Sequence, residues 1–456
     1  MSYFSAKHFP RALVHQVFSL VLPMAWSRFI QIFSWFIGML MVAHLGPDEL
    51  AASALINATQ IMVNVGFMSI LFAMGVITAR LFGEGRYAEI GRLFQQGVLL
   101  SLVMGVFMMA ALFYVGDLLH FTGQPQHLVH LVDVYFKAFA WSSLPMMFMV
   151  LIQQMFYGVK KQHWVIINNL ICMSVYIPLV YLFCYGGLGI SPMGIAGLGY
   201  AIVAQVTLNL ITLLITISQL SDFRKYALFK RQKHHGCHYI RQLFSVGWPM
   251  CVQFGGELAA FFVLALFTGW MGVAALGASQ VTMQVQLLFL IPLFALSEAS
   301  GILVSQKIGE KSLGSLQQVS TICILSGIAG VMFFSGFFFF IPDQLTRLYL
   351  SANDADSQKI MELSRTLFYW AGLMLLCDTL RNIYSGSLRG FYDTRYSMWV
   401  SVFILWLICV PLGYFFGFVI DMGVVGIRIG TIIGFMVGGV LLYNRWRQQL
   451  NRALAD

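Results

Sequence analysis

Apolar residues run in long stretches along this chain, separated by short polar breaks. Crossing a bilayer core takes about 20 mostly apolar residues. Stretches of that kind occur at 17–42, 51–79, 93–115, 129–157, 164–187 and 194–220. After a longer polar break come 243–270, 277–306, 316–341, 361–388, 396–418 and 423–444. The pattern predicts twelve membrane-spanning helices. Lipid offers backbone groups no water, and a barrel would instead alternate apolar and polar residues in strands of about ten. Several stretches are long enough to tilt or kink, and Pro145, Pro178, Pro292 and Pro411 fall inside them.

Composition agrees. Residues of the AVILMFWYC class make up 59% of the 456, and charged residues only 10%, so a soluble fold could not cover its surface. Soluble-enzyme, nucleic-acid-binding and disulfide-scaffold classes are excluded together. The seven cysteines, odd in number and without a CxxC pair, read as buried small hydrophobes. No small-residue cleavage site follows the first apolar stretch, which therefore reads as a retained span rather than a signal peptide.

The net charge of +9 reports topology. With the N-terminus inside, 20 of the 27 Lys and Arg fall on inner segments, which puts both termini in the cytoplasm. Attraction to anionic lipid adds to that bias, so membrane lipids are expected partners.

Shifting the chain by 226 residues aligns Phe18-Ser19 with Phe244-Ser245, Pro23-Met24 with Pro249-Met250, and Gly46 with Gly272. Gln60 then meets Gln286, Gly75 meets Gly301, and Gly83-Glu84 meets Gly309-Glu310. Fifteen of the 67 positions from 18 to 84 are identical, and many are turn and helix-end residues rather than the Leu and Val that skewed composition would match. Small gaps bring Gly158 to Gly390, Pro178 to Pro411, and Gly194 and Gly197 to Gly423 and Gly426. The chain is thus read as all-α, with two six-helix repeats, residues 1–220 and 243–456. An even number of spans per repeat implies a pseudo-two-fold along the membrane normal, and such repeat interfaces commonly hold transporter sites. The connector, 221–242, is read as a solvated basic segment. Its His234, His235, Cys237 and His238 fit no closed zinc spacing.

Ser19-x-x-x-Pro23, Val42-Ala43-His44-Leu45-Gly46, Ile291-Pro292-Leu293 and Gly386-Ser387-Leu388-Arg389-Gly390-x-x-Asp393-Thr394 resemble motifs of the multidrug and toxic compound extrusion (MATE) transporters. Taken with the duplicated plan, the resemblance covers nearly the whole chain and points to the NorM-like branch. It implies a secondary antiporter, not an enzyme. Its partners would be amphipathic, mainly cationic, organic compounds, exported in exchange for Na+ or H+ by alternating access. It also implies no cofactor beyond that coupling ion, a bacterial inner membrane and a monomer.

Charged residues at membrane depth are expensive and are functional candidates by default. Of the 18 acidic residues, Glu257, Glu298 and Asp378 lie well inside predicted spans. Some 13 residues, about 20 Å at 1.5 Å per residue, separate Glu257 from either end of its span, so it cannot reach water by bending. Its repeat counterpart is Gln31. Glu257 and Asp378 match the paired carboxylates that the NorM-like branch uses to bind its coupling cation, and Na+ at that pair is the sole metal expected. The family's span-one Asp is replaced by Gly38, which argues against a proton site in the first half. Arg381, three residues past Asp378, shares its helical face. It is read either as a strut pairing with Asp378 or as a neighbour of a cation ligand. Glu298, Gln284, Trp35 and Phe261 complete the cavity candidates.

Two competing readings remain at this level. A flippase for lipid-linked sugars needs a strongly basic cavity, and a membrane-embedded enzyme needs a metal or diphosphate motif that the chain lacks.

Overall fold

The computed structural model describes residues 11–120, 125–187, 189–230, 236–349 and 357–455. Among them are twelve helices long and apolar enough to cross a membrane. They are α1 (Arg11–Val42), α2 (Asp48–Gly83), α3 (Tyr87–Phe113), α4 (Gln126–Gly158), α5 (Gln162–Tyr185) and α6 (Ile195–Gln219), followed by α7 (His238–Trp270), α8 (Val273–Gly309), α9 (Leu313–Phe340), α10 (Gln358–Gly390), α11 (Thr394–Val419) and α12 (Gly423–Ala455). The protein is an all-helical integral membrane protein. Most ends fall within a few residues of the apolar stretches. The exception is α12, which runs past residue 444 because its last turns carry Arg445, Arg447 and Arg452 beyond the lipid zone.

Proline accounts for several irregularities, because it removes one intrahelical bond and crowds the preceding turn. A 3-10 turn at Ala140–Ser142 precedes Pro145 in α4. Wide π turns at Leu405–Cys409 and Phe415–Val419 flank Pro411 in α11. Pro23 and Pro249 sit inside α1 and α7.

The chain forms two compact units: Trp26–Cys251, and Met1–Ala25 together with Val252–Asp456. The divisions lie two residues past Pro23 and Pro249, at positions equivalent in the repeat, rather than in the 221–242 connector.

Close helix approaches recur in each unit at matching places. In the second half, a Cβ on Gly390 would lie 2.8 Å from Gly301 O, and one on Gly386 would lie 2.1 Å from Ser297 O. Backbone therefore meets backbone between α8 and α10, as small residues allow in membranes. Ser300 and Ser387 hydroxyls bond across this seam at 2.7 Å, and Ser297 Oγ donates to Asn382 O at 2.5 Å. In the first half, Gly158 approaches Gly75 O in the same way. Gly197 against Phe183 and Gly426 against Phe416 repeat a second approach. The repeat read from sequence is thus a repeat of packing.

The connector's Arg224, Lys225 and Lys230 are exposed, as expected of a solvated basic segment, but several of its apolar residues are docked. Ser221–Tyr226 forms a 3-10 turn, and Phe223, Tyr226 and Leu228 are buried. Gln95 of α3 donates to the carbonyls of Leu228 and Lys230. Lys161 lies 2.5 Å from Asp222 and holds its carboxyl below the usual range. The basic residues hid aromatic anchors. Of the four metal-binding candidates there, His234 and His235 lie outside the described residues. Cys237 is exposed, and His238 opens α7. Among the described residues no group of three His, Cys, Asp or Glu is arranged to hold a metal ion.

Candidate functional site

The unit containing Val252–Asp456 buries a cluster of charge at mid-helix depth. On α7, Gln253, Glu257 and Phe261 recur at four-residue spacing and so share one face. Across from them, α10 presents Asp378, Arg381 and Asn382. Arg381 is 1% exposed, Glu257 6% and Asp378 8%. Its Nη1 donates to Glu257 Oε1 at 2.7 Å and to Ser401 Oγ of α11 at 3.1 Å. Its Nη2 and Nε both donate to Asp378 Oδ1, at 2.8 and 3.2 Å. The guanidinium also stacks 4.8 Å from the Phe435 ring centroid, a favourable contact for a delocalised cation.

Two neutral amides complete the shell. Asn382 donates to Asp378 Oδ1 at 3.0 Å and Gln253 to Glu257 Oε1 at 3.2 Å. Every one of the bonds to the two carboxylates lands on Oε1 or Oδ1. Glu257 Oε2 and Asp378 Oδ2 receive no donor among the described residues, and both carboxylates line a cavity of about 280 Å³. A buried hydroxyl–amide chain leads away from the cluster. Ser385 and Ser397 bond at 2.5 Å, Ser397 donates to Gln253, and Arg389 donates to Ser385.

Of the sequence candidates, the structure gathers Glu257, Asp378, Arg381, Gln284 and Phe261 around this one cavity. Glu298 is not among its lining residues. It lies half-buried further along α8, where its charge acts on Arg389. Trp35 belongs to the other unit, where its Nε1 donates to Asn57 Oδ1 at 3.1 Å. Neither residue lines this cavity. Glu298 was placed by depth alone, without regard to which helix face it occupies, and Trp35 by its aromatic character.

The Gly38 position is also explained. A Cβ there would lie 2.2 Å from Tyr176 Oη and 2.8 Å from Leu198. The Tyr176 ring fills the space that an acidic side chain would need. The buried polar network nearby is neutral: Asn169 donates to Ser27, Asn209 to Asn169 at 2.8 Å, and Asn168 to Asn209 at 2.7 Å.

Sequence reasoning passed over Arg428, a cavity-lining cation five residues into α12. It lies only five residues inside the predicted span 423–444, too near the end for the depth rule applied to the carboxylates to flag it. Ser401 and Gln253 carried no signal, since hydroxyls and amides at depth are common between helices.

The charge set is confined to one half. At the repeat offsets, Glu257 faces Gln31, Asp378 and Arg381 face Met146 and Met149, and Arg428 faces Gly199. The MatE family model matches residues 23–182 and 249–415, one segment in each repeat. The chain belongs to the MatE family. Among MatE relatives, the probable multidrug resistance protein NorM of Synechocystis sp. is 25% identical over 448 residues, covering 97% of this chain and 96% of that protein. The protein of the same description from Brucella suis is 24% identical over 415 residues, covering 90% and 88%. A MATE structure in a bent conformation superposes with a TM-score of 0.88 at 16% identity, covering 97% of this chain and 98% of that one. An outward-facing multidrug resistance MATE family transporter of the MOP superfamily gives 0.88 at 17% identity, with 97% of each chain covered. At those identities the structural likenesses establish the fold, which is the twelve-helix MATE fold.

Proposed function

We propose that this MatE-family member is a multidrug efflux transporter of the NorM type. In this reading it is a secondary antiporter that exports amphipathic organic compounds in exchange for one monovalent cation. It would work as a monomer in a bacterial inner membrane with both termini cytoplasmic. The observation that carries the proposal is the triad. Two buried carboxylates that line a cavity share one guanidinium, and each has one oxygen that accepts no hydrogen bond among the described residues.

The charge count supports a 1:1 exchange. Glu257 and Asp378 contribute two negative charges and Arg381 one positive, so the ionised triad carries a net single negative charge. In a low-dielectric interior that charge favours one cation held directly against the triad, to which Arg428 makes no hydrogen bond or ion pair. A bound cation neutralises the triad and removes its attraction for cationic cargo, while its departure restores that attraction. Mutual exclusion of this kind is what couples two flows. Only differential affinity between conformations can shift the alternating-access equilibrium.

A proton suits the geometry better than Na+. Arg381 bridges the carboxylates and leaves two oxygens without a donor among the described residues, whereas a hard cation gathers about six oxygen ligands. A flippase reading is weakened because Arg381 is already matched by two acids, which leaves Arg428 alone among the described lining residues as a cation without a carboxylate partner, short of the strongly basic cavity a pyrophosphate needs.

The test uses purified protein in lipid vesicles loaded with a fluorescent organic cation, with pH and Na+ gradients imposed separately. We expect counterflow with the pH gradient alone. Response to Na+ alone would overturn the choice of ion, and response to neither would overturn the antiport reading.

A further inference from the structure

Arg428 lines the same cavity as the triad and is 8% exposed. Its Nη1 donates to Gln286 Oε1 at 2.8 Å and reaches Met374 Sδ at 3.0 Å. Neither partner is charged, and thioether sulfur is a weak acceptor. No carboxylate pairs with Arg428 among the described residues. Arg381, in the same cavity wall, has two. A buried, uncompensated guanidinium works against stability, so a use for it is called for.

The surroundings indicate which use. Gln286 is held by its own Nε2, which donates to Ala371 O at 3.4 Å, so its oxygen is turned to Arg428. With one Nη engaged, the rest of the planar fork is left for an acceptor, and that fork matches a carboxylate through two parallel N–H bonds. Much of the remaining lining, Phe261, Leu264, Met283, Leu287 and Phe294 among it, is apolar. A molecule seated there meets a cation at Arg428, a net negative triad and greasy walls.

We propose that Arg428, positioned by Gln286, is an anion subsite that takes the carboxylate of an amphipathic zwitterionic substrate whose cationic end is directed to Glu257 and Asp378. The inference rests on reading this cavity as the export site.

The test compares a rhodamine bearing a free carboxylate with its ethyl ester, measuring binding to the purified protein by fluorescence anisotropy. Wild type binds both. Arg428→Gln weakens the acid at least tenfold and shifts the ester less than threefold, and Gln286→Leu weakens the acid in the same direction. Arg428→Lys keeps the charge and retains acid binding within tenfold of wild type. Because Arg428 lacks a charged partner, Arg428→Gln should melt at the same temperature as wild type or higher. A strut would instead lose stability.

Equal loss of both probes, an unchanged acid affinity, or a lowered melting temperature in Arg428→Gln would overturn the subsite. So would an effect of Arg428→Gln on bromide binding alone, the mark of a site for inorganic anions. Wild type binding neither probe would also overturn it, while leaving gradient-driven export of a simple organic cation intact. Loss of that export with acid binding preserved would instead remove the parent reading.

Discussion

Arg381 and Glu257 are 124 residues apart in sequence and 2.7 Å apart in space. Their contact joins α7 to α10, and it makes Arg381 a shared counter-ion for two acids rather than the private partner of Asp378.

Glu257→Gln keeps an acceptor for Arg381 but removes one negative charge. Asp378 and Arg381 then balance, and the triad loses its demand for a cation. We expect near-normal folding and retained dye binding, with gradient-driven export reduced at least tenfold in vesicles. Export at the wild-type rate and with wild-type ion dependence would rule out the assignment.

Arg381→Ala leaves two acids facing each other without a counter-ion. Stripping one side of a buried pair typically costs about 3–5 kcal/mol, so thermal melting should show a large loss. Asp378→Asn should be milder, because Arg381 retains Glu257 and Ser401. The Asp378→Asn/Arg381→Ala double variant keeps the net single negative charge on Glu257 alone and should recover part of the stability and part of the cation dependence. Full ion-coupled export in that double variant would show that the pair is structural only.

Gly386→Ala should separate α8 from α10, because the new methyl would meet a backbone carbonyl that cannot move aside. We expect a destabilisation of several kcal/mol, at the upper end of what overpacking gives. Gly255→Ala is the control: nothing lies within 4 Å of its Cβ position, and the gain in helix propensity is about 1 kcal/mol. Similar melting curves for the two variants would refute the rigid seam.

Gly38→Asp should express poorly, because the carboxylate collides with Tyr176. Adding Tyr176→Ala makes room and should restore expression, measured by size-exclusion yield. Good yield from the single variant would mean that Tyr176 swings away easily.

The spans were legible because lipid imposes one requirement on every helix, and Glu257 and Asp378 because charge at that depth is conspicuous on any apolar helix. Arg381 was legible only as a local neighbour three residues from Asp378. Its reach to Glu257 is a tertiary fact that spacing does not encode. Arg428 is charged like the acids, but it sits close to a predicted span end, where a long side chain is assumed to reach water. Docking of the connector went unseen because Phe223 and Tyr226 are set among Arg224, Lys225 and Lys230, a pattern that reads as solvated by composition. Tyr176 filling the place opposite Gly38 depends on two helices meeting, which no single-helix pattern reveals.

The net single negative charge of the triad has an electrical consequence. If one proton enters for each monocation expelled, no charge crosses the membrane, and voltage neither helps nor hinders export. For a cargo with balanced charges, seated through Arg428, each turnover carries one positive charge inward. An inside-negative membrane then contributes about 2.3 kcal/mol per 100 mV. The same three side chains would make export of one class of compound indifferent to membrane voltage and export of another driven by it.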